Sequence, residues 1–514
     1  MKATKIFFII IIISLLLSFF RLGSVTLFDV DEAVFAQATR EMIENNNWLT
    51  PTYNGKNRYD KPILFYWLMA ASYQVFGVNE FGARVPSAIA SCILALSLFF
   101  FAKHCRDEIF ALYTVMTFVL SLYFLAYSHS SVTDMTLSLF ISLSLFSFYI
   151  AQQHKKKQFY MYGFYLFSAL AFLTKGIIGI AFPFGVAMAY MFFIERWQGV
   201  KKVFNVKAIM LFLVIAAPWY GAQLFINGQE FVDQFIMKHH FKRYLGVISG
   251  HRGPVYYYLP VLLMGLFPWS MYLPMGIRNA IKMKERFLVF ACIWFAFIFI
   301  FFSFSTTKLP NYILPAIPAA SLLIASGMAQ HTKRWWLYSN ISLAVMSFMT
   351  GIAFVFSRPY LFKYGISDVN WLFVMASITI IMGILFLYSA ARDTSFFSAL
   401  SALMCIFLLT LSLKALPLAS DYLQGTLNRY SLYAKSKLQG DQKVIAYGMN
   451  NPSIVFYTGH KIITAKSRDD IKAALDTNGR ISIAITKTKK VDDLKALGFE
   501  VIDSDERYAL LEKK

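Results

Sequence analysis

The sequence predicts a polytopic α-helical membrane protein of about 13 transmembrane helices, with interfacial helices on the outer side and a small C-terminal α/β domain. Three observations carry this expectation. Hydrophobic residues make up 58% of the 514 and charged residues only 15%, against about 25% in a typical soluble domain. Apolar runs recur along the first four-fifths of the chain, many reaching the ~20 residues that cross a bilayer core. Basic residues gather in short clusters between those runs, where they fix membrane topology.

The net charge of +21 would point a soluble protein toward nucleic acid. Here the charge is distributed by topology, and nucleic acid is excluded as a partner. Cys92, Cys105, Cys292 and Cys405 all lie in or beside apolar runs. They show no CxxC or Cys/His spacing, so neither a disulfide framework nor a zinc knuckle is expected. Residues 1–20 have the basic start and apolar centre of a signal peptide, but Ser18-Phe19-Phe20 is a poor cleavage site. This stretch is expected to remain as the first span.

Lys2 and Lys5 place the N-terminus in the cytoplasm, with the first span running from about Ile6 to Arg21. A polar stretch follows, from about 22 to 84, then an apolar run to Ala102 that returns the chain at Lys103 and Arg106. Further cytoplasmic clusters are Lys155-Lys156-Lys157, Arg196 with Lys201 and Lys202, Arg278 with Lys282, Lys284 and Arg286, Lys333-Arg334, and Arg392. Each neighbouring pair of clusters is separated by enough apolar sequence for two crossings. A last run from Phe396 to Lys414 leads outward, which gives the count of about 13. Gly176 and Gly179 are among the residues that interrupt spans.

After about Leu416 the composition changes. Lys443–Tyr447 and Ile481–Ile485 read as short buried strands, and Asp469–Leu475 and Val491–Leu497 as amphipathic helices. The expected division is a membrane domain, 1–415, carrying the first outer loop (about 22–84), and an outer α/β domain, 416–514. No catalytic motif is visible in the tail, which reads as a lid or docking domain.

Four outer stretches hold more ionisable and aromatic residues than connectors need. In the first, Asp29, Asp31 and Glu32 follow directly on a span. Asp29 as N-cap and Glu32 three residues on would form a capping box, which leaves Asp31 without a local role. A carboxylate at the membrane surface suits a general base or an acceptor-holding group. The second stretch contains Arg58, Asp60, Lys61, Tyr66 and Trp67. It predicts an interfacial helix ending near Phe76, anchored by Tyr66 and Trp67, with Lys61 and Arg58 placed to hold a lipid phosphate. The third, 227–254, holds His239, His240, Arg243, Tyr244, His251 and Arg252; adjacent histidines on a helix point apart and do not share one metal. The fourth is Thr306–Pro315, where Lys308 breaks the charge rule by lying outside, which favours a ligand role over snorkelling. Asp134, at the outer start of a later span, is expected to be a helix cap or a partner to a site residue.

The order Asp31-Glu32, then Asp60-Lys61-Pro62 with Tyr66-Trp67, then Arg84-Val85-Pro86-Ser87 resembles the lipid-linked-sugar glycosyltransferases of GT-C type related to protein O-mannosyltransferases. Within that group it is most similar to the lipid A 4-amino-4-deoxy-L-arabinose transferases. Thr174-Lys175-Gly176, Pro218-Trp219-Tyr220 and Lys308–Pro315 also resemble the family's later motifs, and the similarity covers about Phe20 to Pro318. The resemblance implies inverting transfer of a sugar from undecaprenyl phosphate at the periplasmic face of the bacterial inner membrane. It implies Asp31, supported by Glu32, as the catalytic carboxylate and Lys61 as a donor-phosphate contact. It also implies Asp60 and His240 as ligands of a divalent metal ion, with Arg243 and Tyr244 following His240 in the motif. Two departures stand out: Asp60 replaces a Glu, and Ala33-Val34-Phe35 replaces Thr-Arg-Tyr after the first acidic pair.

Polyprenyl phosphate leaves readily once its charge is neutralised, and Lys61, Arg58, Lys308, Arg243 and Arg252 are the expected cations. Asp134, His251, Tyr312 and Tyr244 are expected to support them. The expected partners are the undecaprenyl-phosphate sugar, lipid A or another envelope acceptor, and membrane lipids, with the chain acting as a monomer. A protein or polysaccharide acceptor is the alternative within the class. A flippase for lipid-linked sugars is the alternative outside it, but would place ionisable residues at midmembrane.

Overall fold

A segment surrounded by hydrocarbon must satisfy its own backbone, so long apolar runs fold as helices. The computed structural model describes residues 3–153, 157–235, 253–363, 366, 368–438, 442–477 and 481–513. Among them, nine helices are long and apolar enough to cross a membrane, from Glu80–Cys105 to Phe397–Lys437. Two bent pairs, Glu108–Val119 with Leu122–Ser128 and Val255–Gly265 with Ser270–Met283, raise the count to eleven. The first pair bends by 60° because Ser121 starts a new helix there, its hydroxyl accepting the Phe124 N–H. The expected count of 13 is therefore met only coarsely. The helix Ala3–Phe19 is short, and Lys157–Lys175 carries three tyrosines along its length.

The chain divides into two compact units: Met1–Phe20 with Asp60–Phe65 and Pro86–Lys414, and Arg21–Tyr59 with Tyr66–Val85 and Ala415–Lys514. The second brings the first outer loop together with the tail, where the sequence grouped that loop with the spans.

The first unit is the helix bundle. Its helices approach closely through small residues, as membrane helices do when apolar burial gives no advantage over lipid. A Cβ on Gly276 would lie 1.9 Å from the Leu323 carbonyl oxygen, and one on Gly327 would lie 2.5 Å from that of Tyr272. Leu273–Met283 and Ile317–Ala329 therefore meet backbone to backbone. Asn279 reinforces the joint by donating to the Ser326 and Gln330 carbonyls at 3.1 and 2.8 Å. Gly176 ends the Lys157–Lys175 helix at φ +69°, as the sequence predicts, and lets the next helix fold back against it. Arg106, just past Cys105, binds Glu285 and Gln330 and so ties three helix ends together.

The second unit contains all seven strands found among the described residues. β1 (Thr52–Tyr53) and β2 (Lys56–Asn57) form a hairpin whose turn residues, Asn54 and Gly55, both have positive φ, as a type I′ turn requires. The buried Glu41 carboxylate braces that turn, accepting from the Asn54 and Gly55 amides at 2.7 and 3.1 Å and from the Thr52 hydroxyl at 2.8 Å. The remaining strands are β3 (Lys443–Tyr447), β4 (Ile462–Ala465), β5 (Ile481–Lys487), β6 (Phe499–Ser504) and β7 (Tyr508–Lys513). They form one sheet in the order β4-β3-β5-β7-β6. β3 pairs in parallel with β4 and β5, while β7 is antiparallel to β5 and β6. β3 is an unbroken buried run because apolar residues cover both of its faces.

Candidate functional site

The first acidic run opens the helix Asp31–Glu44, and its three carboxylates have three different environments. Glu32 is buried. Its Oε1 and Oε2 accept from Arg84 Nε and Nη2 at 3.1 and 2.8 Å, and Oε2 also takes the Phe28 N–H at 2.9 Å. Arg84, only 1% exposed, gives its other N–H groups to the carbonyls of Leu22, Val25 and Thr26 at 3.1, 2.8 and 2.9 Å. This two-pronged pair is among the stronger polar contacts available to a protein. It gives Glu32, expected to be catalytic, a structural role in fixing the chain before the helix.

Asp29 does not cap the helix. Val30 is the N-cap residue and makes no side-chain cap bond, while the Asp29 carboxylate turns to the tail, binding Asn451 and Ser453. Local spacing suggested a capping box; a partner more than 400 residues away replaces it. Asp31 is exposed, and its carboxylate makes no hydrogen bond or ion pair with any described residue. Of the three, it is the one whose carboxylate no described residue engages.

Arg58 and Tyr66 belong to the same unit. Arg58 donates to the Tyr66 hydroxyl at 3.2 Å and lies 5.8 Å from the Phe35 ring centre. Phe35 in turn packs on Tyr66 at 5.2 Å. Tyr66 is fully buried, so it is a core residue of the Leu64–Phe76 helix and not the headgroup anchor expected. Trp67 is exposed and donates to the Trp48 carbonyl at 2.8 Å.

In the bundle, Asp60 and Lys61 are half-buried, and the Lys61 ammonium reaches the Asp60 carbonyl at 3.2 Å. Asp134 lies in the first turn of Thr133–Ala151. Its carboxylate caps no amide; it pairs with Lys175 at 2.6 Å, both side chains being largely buried. Lys175 also lies 5.5 Å from the Tyr312 ring centre. Lys175 was visible in a motif but carried no expected role. The signal that would have found it is a lysine and an aspartate at the same expected end of neighbouring apolar runs, where an unpaired charge is costly.

Tyr312 packs on Phe302 at 5.2 Å, Phe302 meets Tyr258 at 6.3 Å, and Lys308 lies 5.7 Å from the Tyr258 ring centre. Asp134, Lys175, Tyr312, Tyr258 and Lys308 thus form one connected set at one end of the bundle. Lys308 is buried, and its ammonium donates to the carbonyls of Phe302, Ser303 and Ser305 at 3.1, 2.8 and 2.8 Å. An ammonium has three donors, and all three are engaged with backbone. Burial lowers the Lys308 pKa from its ordinary value.

His240, Arg243, Tyr244, His251 and Arg252 lie outside the described residues. No group of three or more His, Cys, Asp and Glu side chains able to hold a metal occurs among the described residues. Of the two expected ligands, Asp60 alone is within them, and one carboxylate does not make a metal site.

The sequence pattern of the family described as dolichyl-phosphate-mannose-protein mannosyltransferase matches residues 60–221. An uncharacterized protein of Aquifex aeolicus is 30% identical over 351 residues, 68% of this chain and 79% of that one. The undecaprenyl phosphate-alpha-4-amino-4-deoxy-L-arabinose arabinosyl transferase of Aeromonas hydrophila is 30% identical over 317 residues. That match covers 60% of this chain and 57% of the enzyme, so it spans little more than half the length of that relative. Among solved structures, ArnT from Cupriavidus metallidurans bound to undecaprenyl phosphate shares the fold at a TM-score of 0.80 and 21% identity, covering 99% of this chain and 98% of that one. The oligosaccharyltransferase AglB from Archaeoglobus fulgidus shares it more distantly, at a TM-score of 0.54 and 11% identity, covering 95% and 70%. This chain is a multi-pass membrane protein that matches the dolichyl-phosphate-mannose-protein mannosyltransferase family over residues 60–221 and is similar to lipid-linked-sugar glycosyltransferases over about three-fifths of its length.

Proposed function

We propose that the protein is an inverting glycosyltransferase of the bacterial inner membrane. It moves aminoarabinose or a related sugar from undecaprenyl phosphate to lipid A at the periplasmic face. The observation that carries this reading is the exposed Asp31 carboxylate, engaged by none of the described residues, in an acidic run whose other members are engaged. The similarity to the arabinosyl transferases supports the choice of donor and acceptor.

In the proposed reaction an acceptor oxygen bonds to the anomeric carbon as the bond from that carbon to the phosphate oxygen breaks. The electron pair leaves with polyprenyl phosphate. Lys61 and Arg58 neutralise the growing phosphate charge, with Arg243 and Arg252 as further cations. Lys308, whose donors are engaged, contributes through its charge and by fixing residues 302–305. An acceptor phosphate needs no base, and Asp31 then stabilises the positive charge that develops on the sugar. An acceptor hydroxyl needs one, and Asp31 is that base. We also read Ala3–Phe19 and Lys157–Lys175 as crossings, which brings the total to 13 and leaves the tail outside.

The test is direct. Purified protein given undecaprenyl-phosphate aminoarabinose and lipid A should release undecaprenyl phosphate and produce modified lipid A by mass analysis. Donor consumed only with an envelope protein or polysaccharide present would replace lipid A as acceptor. Donor left intact with every acceptor would end the transferase reading.

A further inference from the structure

Asp29 is two residues before Asp31 and holds an unusual set of partners within its own unit. Its Oδ1 accepts the Ser453 N–H at 2.8 Å. Its Oδ2 accepts the Ser453 hydroxyl at 2.5 Å and the Asn451 amide N–H at 2.9 Å. In the orientation that satisfies both of its groups, the Gln424 amide donates to Oδ2 at 3.2 Å and accepts the Asp29 N–H at 3.1 Å. Two more bonds tie the residues just before it. The Tyr457 hydroxyl accepts the Leu27 N–H at 2.8 Å and bonds Glu80 at 2.9 Å, and the Thr26 and Ser420 hydroxyls meet at 2.7 Å.

The tail therefore grips residues 26–29, while the Arg84–Glu32 pair grips the chain one residue beyond Asp31. Asp31 lies between the two anchors with its own carboxylate exposed. Apolar burial is non-directional and would dock a tail without fixing the loop's course. A carboxylate surrounded by converging donors is directional, and it needs an acceptor-rich side chain at position 29. Burial pushes the Asp29 carboxyl up from its ordinary pKa, so this arrangement is maintained against a desolvation cost.

We propose that the tail is a positioning element for the transfer reaction: Asn451 and Ser453 hold Asp29, and Asp29 sets the placement of Asp31. Asp29 is then a positioning residue, and the α/β tail, which carries no catalytic motif, acts on the rate through it. This rests on the reading of Asp31 as the reaction's carboxylate.

A donor–acceptor exchange tests it in the full-length protein. Asp29→Asn puts an N–H group where Oδ2 takes the Asn451, Ser453 and Gln424 donors, and Asn451→Asp sets two carboxylates against each other. Combined, the two changes restore complementary pairing between positions 29 and 451, with Ser453 able to accept as well as donate, and leave only the Gln424 N–H without its acceptor. Each single variant should lose about tenfold to a hundredfold in kcat, with donor KM within about twofold, because misplacement acts on the reacting geometry. The combined variant should recover part of the rate. Folding is checked by thermal unfolding, with rates measured well below the transition. Single variants that are less stable but keep full kcat would overturn the proposal, as would a combined variant no faster than the singles. Asp31→Asn is assayed alongside. Full activity there would remove the underlying reading whatever the Asp29 variants do, whereas a large loss there with unaltered Asp29 variants would remove the positioning role alone.

Discussion

The helix bundle and the loop-and-tail unit treat their charges differently. In the bundle, the buried charges with resolved contacts are engaged: Asp134 on Lys175, and Lys308 on three carbonyls. A charge without a partner at low dielectric is costly, so these groups stabilise the fold before they do anything else. The loop-and-tail unit engages Glu32, Glu41 and Asp29 just as fully, yet leaves Asp31 exposed. The engaged carboxylates hold structure, and the proposed reaction draws on the one that is exposed, between neighbours that are bonded.

The largest expected effect tests that contrast. Asp31→Asn keeps the size of the side chain and removes its charge, and should lower kcat by about 10²–10⁴-fold with donor binding nearly unchanged. Transfer from a labelled lipid-linked donor reads this out. A loss that depends on pH indicates a hydroxyl acceptor whose proton Asp31 removes; a loss flat across neutral pH indicates a phosphate acceptor. Activity equal to wild type would erase the distinction between the two kinds of carboxylate.

The same contrast shows what the sequence could reveal. Apolar runs and basic clusters are local signals, and they led to a helical membrane protein with a tail of mixed strands and helices. Lys443–Tyr447 was legible as a strand because a run buried on both faces leaves an unbroken apolar pattern. The role of Asp29 was not legible. Its capping-box spacing with Glu32 is a local pattern, while its true partners, Asn451 and Ser453, come from the other end of the chain. Lys308 stands out in the sequence by its expected position outside, against the charge rule, but its three carbonyl partners depend on how residues 302–305 turn. Arg84 was read as part of a motif, and only the fold shows that it closes on Glu32 and on the carbonyls of 22, 25 and 26.

Breaking that ion pair should give the next effect in size. Arg84→Met leaves the Glu32 carboxylate buried without its partner, a change that costs about 3–5 kcal/mol. Thermal unfolding in detergent should show a markedly lower midpoint. Adding Glu32→Leu removes the stranded charge and should recover part of the loss. An unchanged midpoint in Arg84→Met would mean that the pair does not anchor the loop, and that Asp31 is held less firmly than the comparison requires.

Two lysines of the bundle, half-buried Lys61 and buried Lys308, should respond differently to removal. Lys61→Ala should reduce turnover at limiting donor by about tenfold or more, the loss expected for one charged phosphate contact of about 1.5–3 kcal/mol. Its unfolding midpoint should barely move. Lys308→Met should do the reverse, leaving three buried carbonyls without their shared donor and lowering stability by about 1–3 kcal/mol, with a smaller effect on donor use. If both variants lost donor affinity equally at unchanged stability, Lys308 would be a phosphate ligand that gives up its carbonyls when the donor arrives.

The smallest effect concerns the tail, where an engaged carboxylate can be followed by pH. Burial pushes the Asp505 carboxyl up, but the Thr426 hydroxyl, the Tyr508 and Arg507 amides and the Arg507 charge outweigh it and hold its pKa below the usual value. The hydroxyl bond is 2.6 Å and both amide bonds are 2.7 Å. A carboxylate with a lowered folded pKa contributes stability above its unfolded pKa of about 4 and loses it as pH falls through the folded value. Acidification below about pH 4 should therefore loosen the tail in wild type. Asp505→Asn should lower the midpoint at neutral pH by the equivalent of about 1 kcal/mol or less, because the site is only partly buried, and should flatten that acid dependence. Transfer rates at neutral pH should be nearly unchanged in this variant, since Asp505 makes none of the bonds that hold residues 26–29. A large loss of kcat in Asp505→Asn at full stability would show that the tail influences the reaction by a route other than the Asp29 clamp.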